Sequence, residues 1–540
     1  MYLVENPVLQ RELLLNLRMK RAFVLMFAYL AALGGVVYLA WPRQERVDLL
    51  NPVASQRLVN LFFLGQYLLA SLMAPSFAAG AITGEKERKS AEMLLASPLA
   101  PSAILLGKLL ASLAHLALFV LASLPIVMLC LPLGGVSLYE VLAAYIALLT
   151  STITFGMISL ACSAYFQRTS ASLLVSYLVI LPLAMAGSIF WWTTSETAAG
   201  LRLVASLTVV PAVGVAIIGV LFVGTTARLL RPPDVGSEGK EVVDAEAEMQ
   251  QAVGLVIQRG QFPDSLFAPA KRDDLLPDGA NPVFDKEMRS EIFSQGTLML
   301  RVVIQISMAL AIPLMFFCFY HTHPEWAPWY VCYVLLFNVL VGPVFSAGSV
   351  TSERERETLE LLLTTILSPW QILWAKLISG LRVSSVLTMF LVWPLLLAAG
   401  MVRSYWTNLP ALGMYVVIIA ITCLTTGNLA LFCSVLMRKT SVALMTAYLT
   451  VLALFLAPPA ASFFARTFFG GTAAPAIVDR LGTVSPFSAA LAVPLSVEGQ
   501  SYGGSWRMPV DHLVFALVLN VMLLATMSWL FRIRWRVARE

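Results

Sequence analysis

The side chains best spaced for chemistry in this chain come in two matching charged sets. Glu85, Glu87, Arg88 and Glu92 make the first, and Glu353, Glu355, Arg356 and Glu360 the second. Such a run can be a solvated amphipathic helix lying on anionic headgroups, but two matching copies with acids that lipid phosphates would repel favour a protein partner. They do not suit catalysis, since no nucleophile with a base and no metal-ligand spacing accompanies them. A phosphate-cradling loop is missing: Gly107-Lys108 is followed by Leu109, and Gly84 by Glu85, so G-x-x-x-x-G-K-[ST] is not met. No H-E-x-x-H occurs. His115, His321, His323 and His512 are scattered, and His321-Thr322-His323 reads as interfacial polarity rather than a metal pair. The six cysteines form no C-x-x-C and read as small packing residues. The sequence predicts no catalytic residue, and no metal or cofactor bound by this chain.

The elements that must position these charges are apolar. Of 540 residues, 59% are hydrophobic and 12% charged, with 36 Lys+Arg against 31 Asp+Glu giving +5. Soluble domains are about a quarter charged, and an aqueous fold of this composition would expose large greasy patches. The expected fold class is therefore all-α and polytopic, in a bilayer. A span takes about 20 apolar residues. Apolar runs fall at 22–41, 58–83, 109–131, 138–165, 171–192 and 203–226, then at 302–320, 329–349, 377–400, 409–437, 442–460 and 512–531. That is six plus six, about 12 transmembrane helices. Lys and Arg gather in alternate loops and in the tail (Arg532, Arg534, Arg536, Arg539), which places both termini in the cytosol. The small basic excess suits anionic lipid and is too weak for nucleic acid. Residues 1–20 lack a signal-peptide layout. They read as an amphipathic helix whose Val8, Leu9, Leu13 and Leu17 lie on the membrane.

The chain repeats itself. Asn6-Pro7-Val8-Leu9-Gln10-Arg11-Glu12 recurs as Asn281-Pro282-Val283-Phe284-Asp285-Lys286-Glu287. Residues 82–109 align without gaps to 350–377 at a shift of 268, with 13 of 28 positions identical, where chance gives about two. A third block pairs Gly156, Cys162, Thr169, Ser170 and Tyr177 with Gly427, Cys433, Thr440, Ser441 and Tyr448. The resulting organisation is 1–227, a first six-span half; 228–280, an acidic linker rich in Pro and Gly with a short helix over 241–258; and 281–540, a second half with a longer outer loop at about 461–511, where Ser485-Pro486-Phe487 begins a short helix over 489–495. Even span numbers make the repeats parallel, which places a substrate path most simply between the halves.

Each repeated charged loop reads as an elbow. Residues 85–95 form a helix with Glu85–Lys89 and Arg88–Glu92 at i,i+4, as Arg356–Glu360 are in the second copy. Pro98 and Pro101, or Pro369, break it. Ser368-Pro369-Trp370-Gln371 supplies an N-cap, Pro at N1 and a capping box; Ala100 and Ala103 leave the first copy without one. Ionisable residues avoid the middle of the spans, which disfavours an ion-coupled carrier. Gln66, Asn338, Asn428 and Asn520 read as interhelical glue rather than as a path.

The pattern Thr-x-Glu-x-Glu-Arg, then Glu-x-Leu-Leu, Leu-x-Pro, Ile-Leu and Lys resembles the intracellular coupling segment of ABC type-2 (ABC-2) transporter permeases. Residues 351–376 match it more closely than 83–108, which departs at Lys89-Ser90-Ala91. The resemblance implies a transporter permease in the cytoplasmic (inner) membrane, an exporter with two permease-like halves fused in one chain. It implies two copies of a cytosolic ABC ATPase as partners, with ATP and Mg on those subunits. It makes Glu85, Glu87, Arg88, Glu92, Glu353, Glu355, Arg356 and Glu360 the coupling contacts. A membrane scaffold that recruits an ATPase, and a secondary carrier, are the competing readings. The residues do not specify the transported substrate.

Overall fold

The computed structural model describes residues 6–17, most of 53–230, 281–289 and most of 327–537, with isolated residues within 26–38 and 305–312. These residues are almost wholly helical, apart from a two-stranded hairpin, Leu495–Val497 with Gln500–Tyr502. Nine helices among them are long and apolar enough to cross a membrane, and a further helix carries the apolar stretch Ser172–Ser188. Half of the expected span 22–41 and most of 302–320 lie outside the described residues, as do all but the first three residues of the linker 228–280 and the helix expected within it. The chain divides into two compact units, Met1–Glu241 and Val242–Glu540.

The first unit contains α1 (Pro7–Leu17), α2 (Val53–Ala78), α3 (Gly80–Glu87), α4 (Ala91–Leu95), α5 (Pro101–Ala122), α6 (Leu138–Tyr165), α7 (Thr169–Thr197) and α8 (Val210–Leu230). The second repeats that order with α9 (Pro282–Arg289), α10 (Ala327–Ser346), α11 (Thr351–Glu355), α12 (Leu359–Leu363), α13 (Pro369–Met401), α14 (Leu409–Leu436), α15 (Thr440–Val451), α16 (Ala457–Phe468), α17 (Pro486–Ala492) and α18 (Arg507–Val537). In each unit the central helix, α6 or α14, packs against every neighbour that matters to the elbow: α2, α5 and α7, or α10, α13 and α15. The last spans, α8 and α18, are mostly exposed within their own units, as helices facing lipid are.

Three of the four polar residues expected as glue act as such, while the buried Gln66 amide finds no hydrogen-bond partner among the described residues. Asn338 Nδ2 donates to Thr388 (3.3 Å) and its Oδ1 accepts from Thr426 (3.2 Å), joining α10, α13 and α14. Asn428 donates to Asn520 (2.5 Å) and Asn520 to Thr425 (2.8 Å), joining α14 to α18. Such bonds hold helices together where lipid offers no hydrophobic drive. Small residues permit the close approaches. A Cβ on Gly156 would stand 2.5 Å from Leu113, and one on its repeat partner Gly427 would stand 2.9 Å from Leu381.

Three expectations need correction. The helix expected over 85–95 is two helices, α3 and α4, with a break between them, and its second copy divides into α11 and α12 in the same way. The helix begun by Ser485-Pro486-Phe487 ends at Ala492, and Leu495 belongs to a strand. The start helices do not spend their described apolar faces on lipid alone. α1 packs on α5 and α9 on α13, and Val283 is buried with Ile372 and Ala375 beneath Phe284, Leu362 and Leu367.

Candidate functional site

Each elbow begins at a proline. Pro75 sits inside α2 and Pro343 inside α10, and a proline interrupts the helical ladder and bends it. The chain resumes as α3 or α11, and a side chain from the central helix takes the backbone donors at the bend. Ser163 Oγ accepts from the amides of Ile82 and Thr83, both at 2.9 Å, and Ser434 Oγ accepts from Val350 and Thr351, both at 3.0 Å. Thr83 and Thr351 then donate their hydroxyls back to Ala79 and Ala347.

The elbow helix stops after about two turns for a local reason. The Ser90 amide donates to the Glu85 carbonyl and the Thr358 amide to the Glu353 carbonyl, each at 2.9 Å. This six-to-one closure ends a helix in a Schellman turn, which needs a left-handed residue just before it. In the second copy that residue is Glu357, at φ 59°. The same Ser90 and Thr358 also donate their hydroxyls to the carboxylates of Glu85 and Glu353. Glu85 is thus held by Ser90 and faces Lys108, rather than continuing a surface helix.

A buried lysine lies under each elbow. Lys108 Nζ donates to the carbonyl of Ala81 (2.8 Å), with Glu85 at 3.5 Å and Glu12 of the start helix at 3.6 Å. Lys376 Nζ donates to the carbonyl of Ser349 (2.7 Å), with Glu287 at 2.7 Å and Glu353 at 3.6 Å. Lys376 is 1% exposed and Lys108 4%, and charges so buried persist only when paired. Lys286 of the start helix adds a further bond to Glu353 at 2.9 Å. Start helix, elbow and returning helix therefore meet at one charged hub in each unit.

The outer carboxylates are staples as well. Glu87 accepts from the Thr169 amide at 2.7 Å. Glu355 accepts from the amide and hydroxyl of Thr440 at 2.9 and 2.7 Å. Both cap a helix N-terminus, where unpaired amides favour an anion. Lys86 donates to the carbonyls of Ala164 and Phe166 (2.6 and 2.9 Å), and Arg354 to those of Met437 and Val435, in each case at the C-terminal end of the central helix. Asn6 donates to Ala103 (2.6 Å) and Asn281 to Gln371 (2.9 Å) while each caps its own start helix. The capping box forms as predicted: the Gln371 amide donates to Ser368 Oγ (3.3 Å) and Gln371 Oε1 accepts from the Ser368 amide (2.9 Å).

Of the eight residues expected to meet a partner, four are committed inside the chain. Glu85 and Glu353 serve the hub, and Glu87 and Glu355 cap helices. Glu360 is exposed on α12. Glu92 lies in α4, while Arg88 and Arg356 fall outside the described residues. Beside exposed acids the elbows also present large apolar side chains outward: Met93 is 78% exposed, and Leu361, its repeat partner, 68%. Lys108, Lys376, Ser163, Ser434, Glu12 and Glu287 escaped the sequence reading as site residues, although all six are identical between the repeats. Among the described residues no group of His, Cys, Asp and Glu could hold a metal.

The sequence profile of the family described as ABC-2 family transporter protein matches the chain twice, over residues 8–208 and 206–533. No curated protein matches it.

Proposed function

The chain belongs to the ABC-2 family of transporter proteins, and on that premise we propose that it is the permease of an ABC exporter, with two permease-like halves fused in one chain. It is a multi-pass membrane protein of an ABC transporter. In our reading it lies in the cytoplasmic (inner) membrane with both termini cytosolic, and its twelve spans include two that the described residues cover only in part. Two cytosolic ATPase subunits supply the energy and bind ATP and Mg. Each docks on one elbow, and their closure moves the elbows as levers.

The observation that carries this reading is the duplicated elbow. Two copies share the same proline bend, serine cap, lysine hub and carboxylate staples, and each ends in an exposed large apolar residue at an equivalent position, Met93 and Leu361. A lever needs a stiff base and a sticky tip. Buried paired charges stiffen the base, and a large exposed side chain is what interface hot spots are made of. Glu85, Glu87, Glu353 and Glu355 then act as positioning residues. Glu92, Glu360, Met93 and Leu361, with Arg88 and Arg356, make the contacts.

The test is a double variant, Met93→Asp with Leu361→Asp. Neither side chain serves the base, so membrane insertion and folding are retained. Co-purification of the ATPase is expected to fail, along with ATP-driven flux into inverted vesicles. Normal co-purification and normal flux in this variant overturn the assignment. ATPase binding by the native chain without any ATP-driven flux would favour a scaffold instead.

A further inference from the structure

The two hubs carry the same charges but not the same packing. In the second unit Val283 and Phe284 of α9 join Leu362, Leu367, Ile372 and Ala375 in one apolar cluster, and Lys286 bonds Glu353 at 2.9 Å. In the first unit the equivalent residues Val8, Leu94 and Leu99 instead line a cleft of about 500 Å³ between α1 and the elbow. Arg11, Glu12, Glu85 and Lys108 stand around it, with Lys108 at 3.5–3.6 Å from both carboxylates, where Lys376 closes to 2.7 Å on Glu287 and stays 3.6 Å from Glu353. The sequence explains part of the gap: Leu9 stands where the second copy has Phe284, and Ser90 where it has Thr358.

Building on the transport reading, we propose that the joint between α1 and the first elbow is a hinge that closes when the ATPases close on ATP, with Lys108 as the positioning residue about which Glu12 and Glu85 draw together; the second joint stays shut throughout. A cleft of this size with Val8, Met93, Leu94 and Leu99 in its wall loses dispersion contacts between them and keeps apolar surface wet, so closing that side is favourable once the elbow is pushed. The second joint has already made those contacts and has nothing left to gain. Arg11 and Lys108 against Glu12 and Glu85 balance in charge, so the ions that closure draws from water are paired rather than lone. Force applied to the second elbow passes rigidly into α13. Force applied to the first closes the cleft and then passes into α5.

The test uses the chain in complex with its ATPase, reconstituted in vesicles, with the six native cysteines replaced. Val8→Cys with Leu94→Cys reports the first joint, and Val283→Cys with Leu362→Cys the second. On oxidation the first pair is expected to cross-link about fivefold more with a non-hydrolysable ATP analogue than without nucleotide, and the second pair equally in both. Cross-linking the first pair stops ATP-driven flux, and reduction restores it. Lys108→Met lowers flux per ATP hydrolysed while ATPase binding stays normal, and Lys108→Arg recovers it. ATP-driven flux with nucleotide-independent cross-linking of the first pair, or with both pairs responding alike, overturns the hinge while leaving the transport reading intact. Absence of any ATP-driven flux in the uncross-linked complex overturns the transport reading, and the hinge falls with it.

Discussion

The two elbows are a natural experiment in what duplication keeps and what it lets drift. The polar scaffold has been kept almost bond for bond: Ser163 with Ser434, Lys108 with Lys376, Glu87 with Glu355, Asn6 with Asn281. The apolar filling has drifted, leaving a cleft under the first elbow and a closed cluster under the second. The physical reason is the asymmetry between the two kinds of contact. A buried lysine deprived of its carboxylates costs several kcal/mol, so neither copy can lose one. A Phe-to-Leu or Ala-to-Gly change costs about 1–2 kcal/mol and can be absorbed.

The comparison can be broken most forcibly at the lysines. Lys376→Met takes the buried cation away from Glu287 and Glu353, which are 17% and 12% exposed, while Glu353 keeps Lys286 and Thr358, and is expected to cost about 3 kcal/mol. Lys108→Met strands Glu12 and Glu85, at 30% and 26% exposed and with longer contacts beside a cleft, and is expected to cost about 1 kcal/mol. Thermal unfolding of the two detergent-solubilised variants checks the order. Equal losses would mean that the first hub is as tight as the second.

The next largest effect comes from exchanging the residue before each lysine. Gly107 and Ala375 occupy the same place in the repeat. A Cβ on Gly107 would stand 2.9 Å from Asn6 Nδ2, the group that holds α1 to the Ala103 carbonyl. Gly107→Ala gains about 1 kcal/mol of helix propensity and loses a similar amount to that contact, so it should be nearly neutral in stability while loosening α1. Ala375 is fully buried, and Ala375→Gly should cost about 2 kcal/mol, from the lost methyl and the added backbone freedom together. Unfolding midpoints, with proteolysis at α1 as a second readout, separate the two.

Most of this architecture was legible in the sequence, and the part that was not has a common cause. Apolar runs gave the spans because hydropathy is a property of segments. The repeat gave the elbows because charges in a scarce-charge chain stand out, and Ser368 with Gln371 gave the capping box because its partners are three residues apart. The break in the elbow helix was hidden. Glu85–Lys89 and Arg356–Glu360 have ideal helical spacing, yet Ser90 and Thr358 close the turn and Lys108 and Lys376 draw the carboxylates inward. Lys108 stands 23 residues from Glu85, on the returning helix, and Ser163 and Ser434 hold the elbow amides from 81 and 84 residues away, so no local pattern reports them. The inward bonds of Glu85 and Glu353 were hidden for the same reason: a carboxylate in a charged run looks solvated until its partner is seen beneath it.

Glu357 allows the break to be tested from the other side. At φ 59° it holds a left-handed conformation that costs an L-residue with a Cβ about 1 kcal/mol and costs glycine almost nothing. Glu357→Gly should therefore stabilise the second elbow by about that amount, and a fall in the unfolding midpoint would show that its side chain does more than tolerate the turn.

The smallest effect concerns how sharply each returning helix starts. Ser368→Ala removes the hydroxyl that accepts from the Gln371 amide and should cost about 1 kcal/mol. The first copy has Ala100 there, with extended backbone (φ −62°, ψ 138°) and no side-chain cap. That is the backbone an N-cap serine adopts, so Ala100→Ser should return a few tenths of a kcal/mol without rearrangement. If both substitutions move the unfolding midpoint as expected while ATP-driven flux stays level, the cap contributes to stability alone, and the functional difference between the elbows lies below them, in the packing around Lys108 and Lys376. If Ala100→Ser instead lowers flux, a soft start to α5 is part of how the first elbow moves.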